Sequence, residues 1–541
     1  MPKLLRKILP NILPPALLLI GGLLLYAPVA GYELLNLDDW TYTLANPIVA
    51  PGLSTSGLKD AFLSLRANAI WMPLTWLSYA ADLTLARRLG LPETVLLHTA
   101  NLLWHLLGAS LLWSLLKRRQ QANLLPFAIA ALWLVHPLQT EPVAWVACRK
   151  DLLTGVAFLC ASLLWNGSDR SRRFVSIPLI LGCLCKPTAA VLPLLVWLER
   201  TDLKGSHLRP LIPACVASAC TVAIGVAAQH LGQVPHATGS LAGSVATAGR
   251  YWLLPLLPIG LHAPVFKAIP LAWGWGLLVP VVLWIRGRWR EVLAYFVPLL
   301  PVLGVVSIGF QQAADRYLYL PLLGMLAVAS GRCVRWSKGV AVGCLVLALG
   351  AAFATRGLVK HWRDDSALTA RAFCFEDRSN ALLNRVAGLH CLCVKGKPRE
   401  AAEHLAVAFR SDPRGCERVR VYYGLALAAS GRPGFALRAL EPLIAPGPVA
   451  EHRRQTALAI VQRSRGAALA HLGRALAARG DYPPACALMA AFALSHRGFG
   501  PEVWLSRAGD GRGGMAFSPE GVAGLRLPWM ADGGKESGGV E

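Results

Sequence analysis

The sequence predicts an all-α fold: a polytopic membrane helical bundle of about eleven spans, followed by a short exported domain of tetratricopeptide-like helical repeats. Three observations predict it. The 541 residues are 55% hydrophobic and only 16% charged, where a soluble domain carries roughly 25% charged residues, and the mean hydropathy is +0.47. The apolar residues are gathered into runs close to the length of a spanning helix, about 20 residues. Short basic clusters recur between those runs on one side of the inferred membrane, which is the positive-inside pattern.

The N-terminal segment around PALLLIGGLLLYAPVA has a long apolar run and no clear small-residue cleavage signal. It is therefore expected to be a retained signal anchor and first span. Further apolar runs lie near 94–116, 124–141, 152–165, 174–185, 188–198, 211–229, 270–285, 292–310, 317–331 and 339–355. With a cytoplasmic N-terminus, six clusters fall on the cytoplasmic side. They are Lys3, Arg6, Lys7; Lys117, Arg118, Arg119; Arg170, Arg172, Arg173; Arg200, Lys204, Arg209; Arg286, Arg288, Arg290; and Arg332, Arg335, Lys338. The opposite loops are 31–93, 137–151, 185–187, 230–269 and 311–316. These hold acids, prolines, tryptophans and single basic residues. The proline-rich stretch at 245–260 reads as a short or re-entrant helix, which is tolerated at membrane depth when packed in protein or lining a cavity. The expected membrane domain is 1–355, in an inner (cytoplasmic) membrane.

From residue 362 the composition turns Ala-rich and charged. Three segments share an apolar helix, a turn glycine (Gly396, Gly431, Gly480) and a second Ala-rich helix. The first interval is 35 residues, near the 34 of a tetratricopeptide repeat. Residues 362–500 are thus expected to form repeats on the extracytoplasmic side, and the glycine-rich tail 508–541 to be disordered.

The formal net charge is +24. No zinc finger, RNA-binding signature or basic recognition helix accompanies it, so nucleic acid is excluded as a partner. The lipid bilayer is the partner that the charge pattern implies. The thirteen cysteines lack metal-site spacing. Cys374, Cys391, Cys393, Cys416 and Cys486 are free to pair if exported, with connectivity open.

Six short segments carry chemistry. Asp38 and Asp39 end the first span in LDDWTYTLANPIV, beside Tyr42. They read as a general base, as a pair that binds a metal or a sugar, or as a helix N-cap at an interface. Trp71 and Trp76 flank Met72-Pro73 and read as an aromatic belt on an interfacial helix, in preference to a platform for a sugar or lipid chain. His98, Asn101 and His105 share one helix face, a pattern for interhelical hydrogen bonds. His136, Glu141, Arg149, Lys150 and Asp151 crowd one short outer turn, where Arg149 and Lys150 suit a phosphate or a salt bridge with Glu141 and Asp151. Lys186 and Arg316, the latter beside Asp315, Tyr317 and Tyr319, lie between apolar runs. Such intramembrane cations are functional candidates. Together they suit transfer from a membrane-embedded phosphorylated donor to an exported hydroxyl, with cations on the leaving phosphate and an Asp as base.

LDDWTYTLANPIV with GLSTSGL, MPLTWLSYAADLTL, LLHTANLLWHLLGASLLW, HPLQTEPVAWVACRKDLL, CKPTAAVLPLL and ADRYLYLPLLG follow one another in an order that resembles bacterial relatives of the tetratricopeptide-containing (TMTC-type) O-mannosyltransferases. These belong to the GT-C glycosyltransferase superfamily. The resemblance covers residues 30–330. It implies an inverting enzyme that uses a polyprenyl- or dolichyl-phosphate sugar, mannose among the candidates, as donor substrate. The acceptor would be an exported protein or glycan, presented by the repeats. No obligatory cofactor is implied, and a divalent metal is left open. The catalytic acid maps onto Asp38 or Asp39. His136 and Glu141 match the family's His-Pro-x-x-x-Glu turn, and Arg149, Lys150, Lys186 and Arg316 its basic positions. Met72 and Gln139 stand where bacterial relatives carry histidines, and the repeat domain is short. Those departures motivate a second reading, a catalytically degenerate membrane-anchored scaffold for envelope assembly. A transporter or flippase ranks third, because no inverted repeat of broken helices is evident.

Overall fold

The computed structural model describes residues 3–44, 46–65, 70–119, 124–200, 205–231, 236–238, 240–262, 265, 269–303, 306–308, 313–331, 338–411 and 416–444. The third expected repeat with Gly480, the Cys486 position and the tail 508–541 lie outside them. Internal contacts divide the chain into two units. One is residues 1–34 with 52–375, and the other is residues 35–51 with the chain from 376.

The first unit is a polytopic helical bundle. Among the described residues, four of its helices are long and apolar enough to cross a membrane: Asn11–Gly31, Glu93–Arg119, Leu208–Leu231 and Lys338–Trp362. Each coincides with an expected run. Other runs are broken into shorter pieces, because proline removes a helical donor and clashes with the preceding turn. Residues 188–198 become a 3-10 turn Pro187–Val191 and a helix Leu192–Leu198. Residues 270–285 become Leu271–Leu277 and Leu278–Ile285. In 292–310 the helix Trp289–Phe296 stops at Val297-Pro298. The helix in the 245–260 region spans Leu241–Leu253, about 20 Å of axis and too short to cross alone. Two three-residue strands, His236–Thr238 and Val306–Ile308, pair antiparallel with His236 opposite Ile308.

The helix Glu93–Arg119 is the hub. Gly155 in the helix Arg149–Trp165 lets Tyr319 approach, since a Cβ there would meet the tyrosine ring at 2.6 Å. Small residues permit this close packing between membrane helices. The Tyr319 hydroxyl then meets His105 Nδ1 at 3.2 Å, while His105 Nε2 lies 3.0 Å from the Leu134 carbonyl. Asn101 donates to the Trp145 carbonyl at 3.1 Å. The shared face of His98, Asn101 and His105 is thus fully buried, and Asn101 and His105 make the expected interhelical hydrogen bonds.

Two polar clusters close opposite ends of the same helices. At one end Arg119 meets Glu199 at 2.6 Å and donates to Ser330 at 2.9 Å. Glu199 also accepts from Ser162 at 2.5 Å and Asn166 at 2.6 Å. The other end holds Leu97 and Arg149. Leu97 and Arg119 are separated by about 33 Å of helix axis, close to the ~30 Å hydrocarbon thickness.

In the second unit the helices Ala381–Cys393 and Pro398–Ser411 form one hairpin. Cys416–Ala429 and Pro433–Ile444 form the next. Gly396 and Gly431 turn them at φ 61° and 78°, a conformation that favours glycine. Equivalent glycines admit the facing leucine: a Cβ on Gly388 would meet Leu405 at 2.6 Å, and one on Gly424 would meet Leu440 at 2.5 Å. Leu389, Leu392, Leu405, Tyr422, Leu425 and Leu440 make the shared core. Cys374 in the first unit and Cys391 in the second carry free thiols.

Candidate functional site

His136 precedes a proline and is extended (φ −64°, ψ 138°), as the pre-proline restriction demands. Its Nδ1 accepts from Leu138 N at 3.2 Å and its Nε2 lies 3.1 Å from the Pro255 carbonyl. Those partners assign the neutral Nε2–H tautomer. Burial holds this imidazole below its ordinary value of 6.5, against the Pro255 hydrogen bond. The unfolded state then binds the proton more readily. The stabilisation is complete above pH 6.5 and is lost as the pH falls below it. His136→Gln should therefore flatten the decline in Tm between pH 7.5 and 5.5, read by tryptophan fluorescence in detergent. An unchanged slope would count against the assignment.

Beyond His136 the chain turns through the short helices Thr140–Ala144 and Val146–Cys148 into the helix Arg149–Trp165. This fold-back brings Glu141 toward Arg316 and Asp151 toward Lys186. Four ion pairs result. Arg316 pairs with Glu141, whose Oε2 also accepts from the Arg316 backbone N–H at 3.0 Å. Lys186 Nζ meets Asp151 Oδ1 at 2.5 Å. Arg250 Nη2 meets Asp315 Oδ1 at 3.1 Å. Arg149 pairs with Asp82 and donates to Asn101 Oδ1 at 2.8 Å and the Leu97 carbonyl at 2.6 Å. Burial raises the Glu141 and Asp315 carboxyls, and the arginines oppose that rise. Asp82 behaves likewise under Arg149.

The pairings differ from those read locally in the sequence. Arg149 takes Asp82 rather than Glu141 or Asp151, and Arg316 takes Glu141 while its neighbour Asp315 takes Arg250. Local crowding loses to the fold, which sets partners up to 175 residues apart.

Aromatic rings tie the cations together. Arg316 lies between Trp145 at 4.9 Å and Tyr317 at 4.8 Å. Lys186 sits over the same Tyr317 ring at 5.8 Å. Trp362 stacks on Trp145 at 5.9 Å. The order Trp362, Trp145, Arg316, Tyr317, Lys186 is a continuous ladder of rings and cations, each cation–π contact worth about 0.5–2 kcal/mol. The Lys186 side chain is 15% exposed and that of Arg316 10%, whereas Arg149 is at 0%. Lys150 donates to the Ala147 carbonyl at 2.6 Å.

Trp71 and Trp76 are buried, which corrects the expected lipid-facing belt. Trp71 donates to the Phe62 carbonyl at 3.0 Å, and the helix Pro73–Leu89 turns its apolar face inward, with Thr75 donating to the Cys185 carbonyl at 2.8 Å. Asp38, Asp39 and Tyr42 belong to the second unit. Asp39 is buried, and its Oδ2 accepts from Leu35 N at 2.9 Å. Asp38 precedes the helix Asp39–Tyr42 and is half-buried. Among the described residues no three His, Cys, Asp or Glu side chains gather as a metal site.

The sequence reading missed a cavity. Pro137, Thr140 and Glu141, then Asp315, Leu261 and His262, and finally Leu358, His361, Trp362, Leu368 and Arg371 line it. The last group comes from the end of the span Lys338–Trp362 and the helix Asp365–Ala372. The stretch just beyond residue 355 carries no recognisable chemical motif in the sequence. Arg371, in the last turn of the short helix that follows the span, was the available signal.

No family model and no curated protein matches the chain. Among solved structures it is similar to the crystal structure of ArnT from Cupriavidus metallidurans bound to undecaprenyl phosphate, at 18% identity over 81% of each chain with a TM-score of 0.34. A likeness at that TM-score leaves both fold and activity to be argued from this chain's own residues.

Proposed function

We propose that the protein is an inverting GT-C-type membrane glycosyltransferase. It would move a sugar from a polyprenyl-phosphate carrier to a hydroxyl of an exported protein or glycan. The observation that carries the reading is the convergence of Lys186 and Arg316 on one Tyr317 ring, with part of each cation still exposed. Two cations from distant segments, set on a rigid aromatic floor, suit a phosphoryl leaving group whose charge grows during transfer. Asp38 or Asp39 would take the acceptor proton. The partial exposure of Asp38 favours it as the group that meets solvent, and the Leu35 contact of Asp39 favours a supporting part. The helical hairpins would present the acceptor as tetratricopeptide-like repeats, on the extracytoplasmic face.

The test uses membranes supplied with labelled lipid-linked sugar, mannose first. Asp38→Asn and Asp39→Asn are made separately, and one of them should lower transfer by about 10²-fold or more. Full transfer by both variants would remove the base assignment.

A second reading, a membrane-anchored scaffold, is favoured by one observation: Arg149, Lys186 and Arg316 each already hold a carboxylate. Bound envelope proteins retained by both Asp variants, without donor-dependent product, would select it.

A further inference from the structure

We infer that the cavity lined by Thr140, Asp315 and Arg371 binds a hydroxyl-bearing phosphoester, with Arg371 as its anion-recognising group. The reasoning begins with charge. Arg316 is matched by Glu141, Arg250 by Asp315, Lys186 by Asp151 and Arg149 by Asp82. Arg371 also faces this region, yet no carboxylate of a described residue lies within ion-pair distance of it. Its Nη2 donates to the Leu261 carbonyl at 3.2 Å, and its guanidinium stacks on Phe375 at 4.6 Å. Its Nε is buried with no partner among the described residues. The two carboxylates in the lining are neutralised by their own arginines, so Arg371 leaves the cavity with one uncompensated positive charge. A partly desolvated guanidinium with an unused donor suits a phosphate oxygen.

The opposite wall supplies hydroxyl partners. Thr140 is buried, and among the described residues its Oγ1 has no hydrogen-bond partner. Asp315 lines the same cavity, with its Oδ1 on Arg250. A buried hydroxyl left unpaired costs stability, so each such group calls for a ligand or water. Leu261, Leu358, Leu368 and Trp362 supply the apolar remainder. Leu358, His361 and Trp362 are the last turn of a membrane span, so the mouth stands where lipid headgroups lie. A phosphoester with one or two free hydroxyls matches all three walls. A lipid headgroup and a soluble sugar or polyol phosphate share that chemistry. The inference stands on the cavity and does not require that the protein transfer a sugar.

The test uses the delipidated full chain in detergent, with intrinsic tryptophan fluorescence and native mass spectrometry as readouts. The probes are short-chain phosphatidylglycerol, glycerol 3-phosphate and, as the control without a hydroxyl, short-chain phosphatidylcholine. Phosphatidylglycerol or glycerol 3-phosphate should bind saturably and more tightly than phosphatidylcholine. Arg371→Gln should weaken it by about tenfold to a hundredfold, and Arg371→Lys by less. Thr140→Val should reduce the preference over phosphatidylcholine while leaving charge-driven binding in place. If glycerol 3-phosphate binds and competes, the ligand is soluble; if only phosphatidylglycerol binds, it is a headgroup. Binding of neither, equal binding of phosphatidylcholine, or an Arg371→Gln variant of unchanged affinity would overturn the inference. Should Arg371→Gln fail to fold, the Lys and Val variants carry the test. Asp38→Asn and Asp39→Asn should bind as the parent does, so a failed transferase reading and a failed cavity reading give different results.

Discussion

Arg316→Met is expected to lower the stability of the membrane unit by about 3–5 kcal/mol. The substitution keeps the volume of the side-chain stem and removes the guanidinium. Glu141 is then left with its carboxylate buried at 3% exposure and one of its oxygens without the donor it holds now. The backbone bond from Arg316 N to Glu141 Oε2 at 3.0 Å survives, which sets the loss below that of stripping both contacts. Stacking between Trp145 and Tyr317 disappears as well. Adding Glu141→Gln should recover much of the loss, since the pair then carries no charge to desolvate. Arg316→Lys should fall between them, because an ammonium cannot reproduce the planar fork or its stacking. Thermal unfolding of the four proteins in one detergent reads the cycle. A double variant no more stable than Arg316→Met would show that the pair is not coupled as the distances require.

Most of the long spans were legible because hydrophobic length alone specifies them. Asn11–Gly31, Glu93–Arg119, Leu208–Leu231 and Lys338–Trp362 each fill an apolar run. Where prolines punctuate a run, as at Pro187, Pro193, Pro298 and Pro301, the same hydropathy yields a 3-10 turn and a short helix. The hairpin turns at Gly396 and Gly431 were legible too, since a positive φ narrows the choice of residue. Segment 35–51 was read as part of the first outer loop, yet its contacts group it with the chain after 376. Nothing in its local pattern announces that. The site was legible as residue types but not as pairs. Asp82 sits on a helix that read as interfacial, Arg250 in a stretch valued for its prolines, and Arg371 beyond the last span. Charge pairing over 67, 65 and 175 residues is a property of the packed bundle, and periodicity carries no information about it.

Arg149→Met should prove at least as damaging, with a loss of about 3–5 kcal/mol, for a different reason. Arg149 has no exposed surface and serves Asp82, Asn101 and the Leu97 carbonyl at once. Its guanidinium lies 4.4 Å from the Tyr79 ring, whose hydroxyl donates to the Val146 carbonyl at 2.7 Å. Removing it orphans three acceptors that join the helices Pro73–Leu89, Glu93–Arg119 and Arg149–Trp165. Lys186→Met, by contrast, removes a partly exposed cation with one carboxylate partner and should cost less stability. The comparison also separates scaffold from substrate contact. Asp82→Leu with Arg149→Met replaces the pair by apolar groups and should restore most of the stability. If that double variant still transfers sugar while stable Lys186→Met does not, Arg149 acts by holding three helices together and Lys186 by meeting the phosphate. Transfer lost in the stable double variant would instead place Arg149 among the groups that contact the donor.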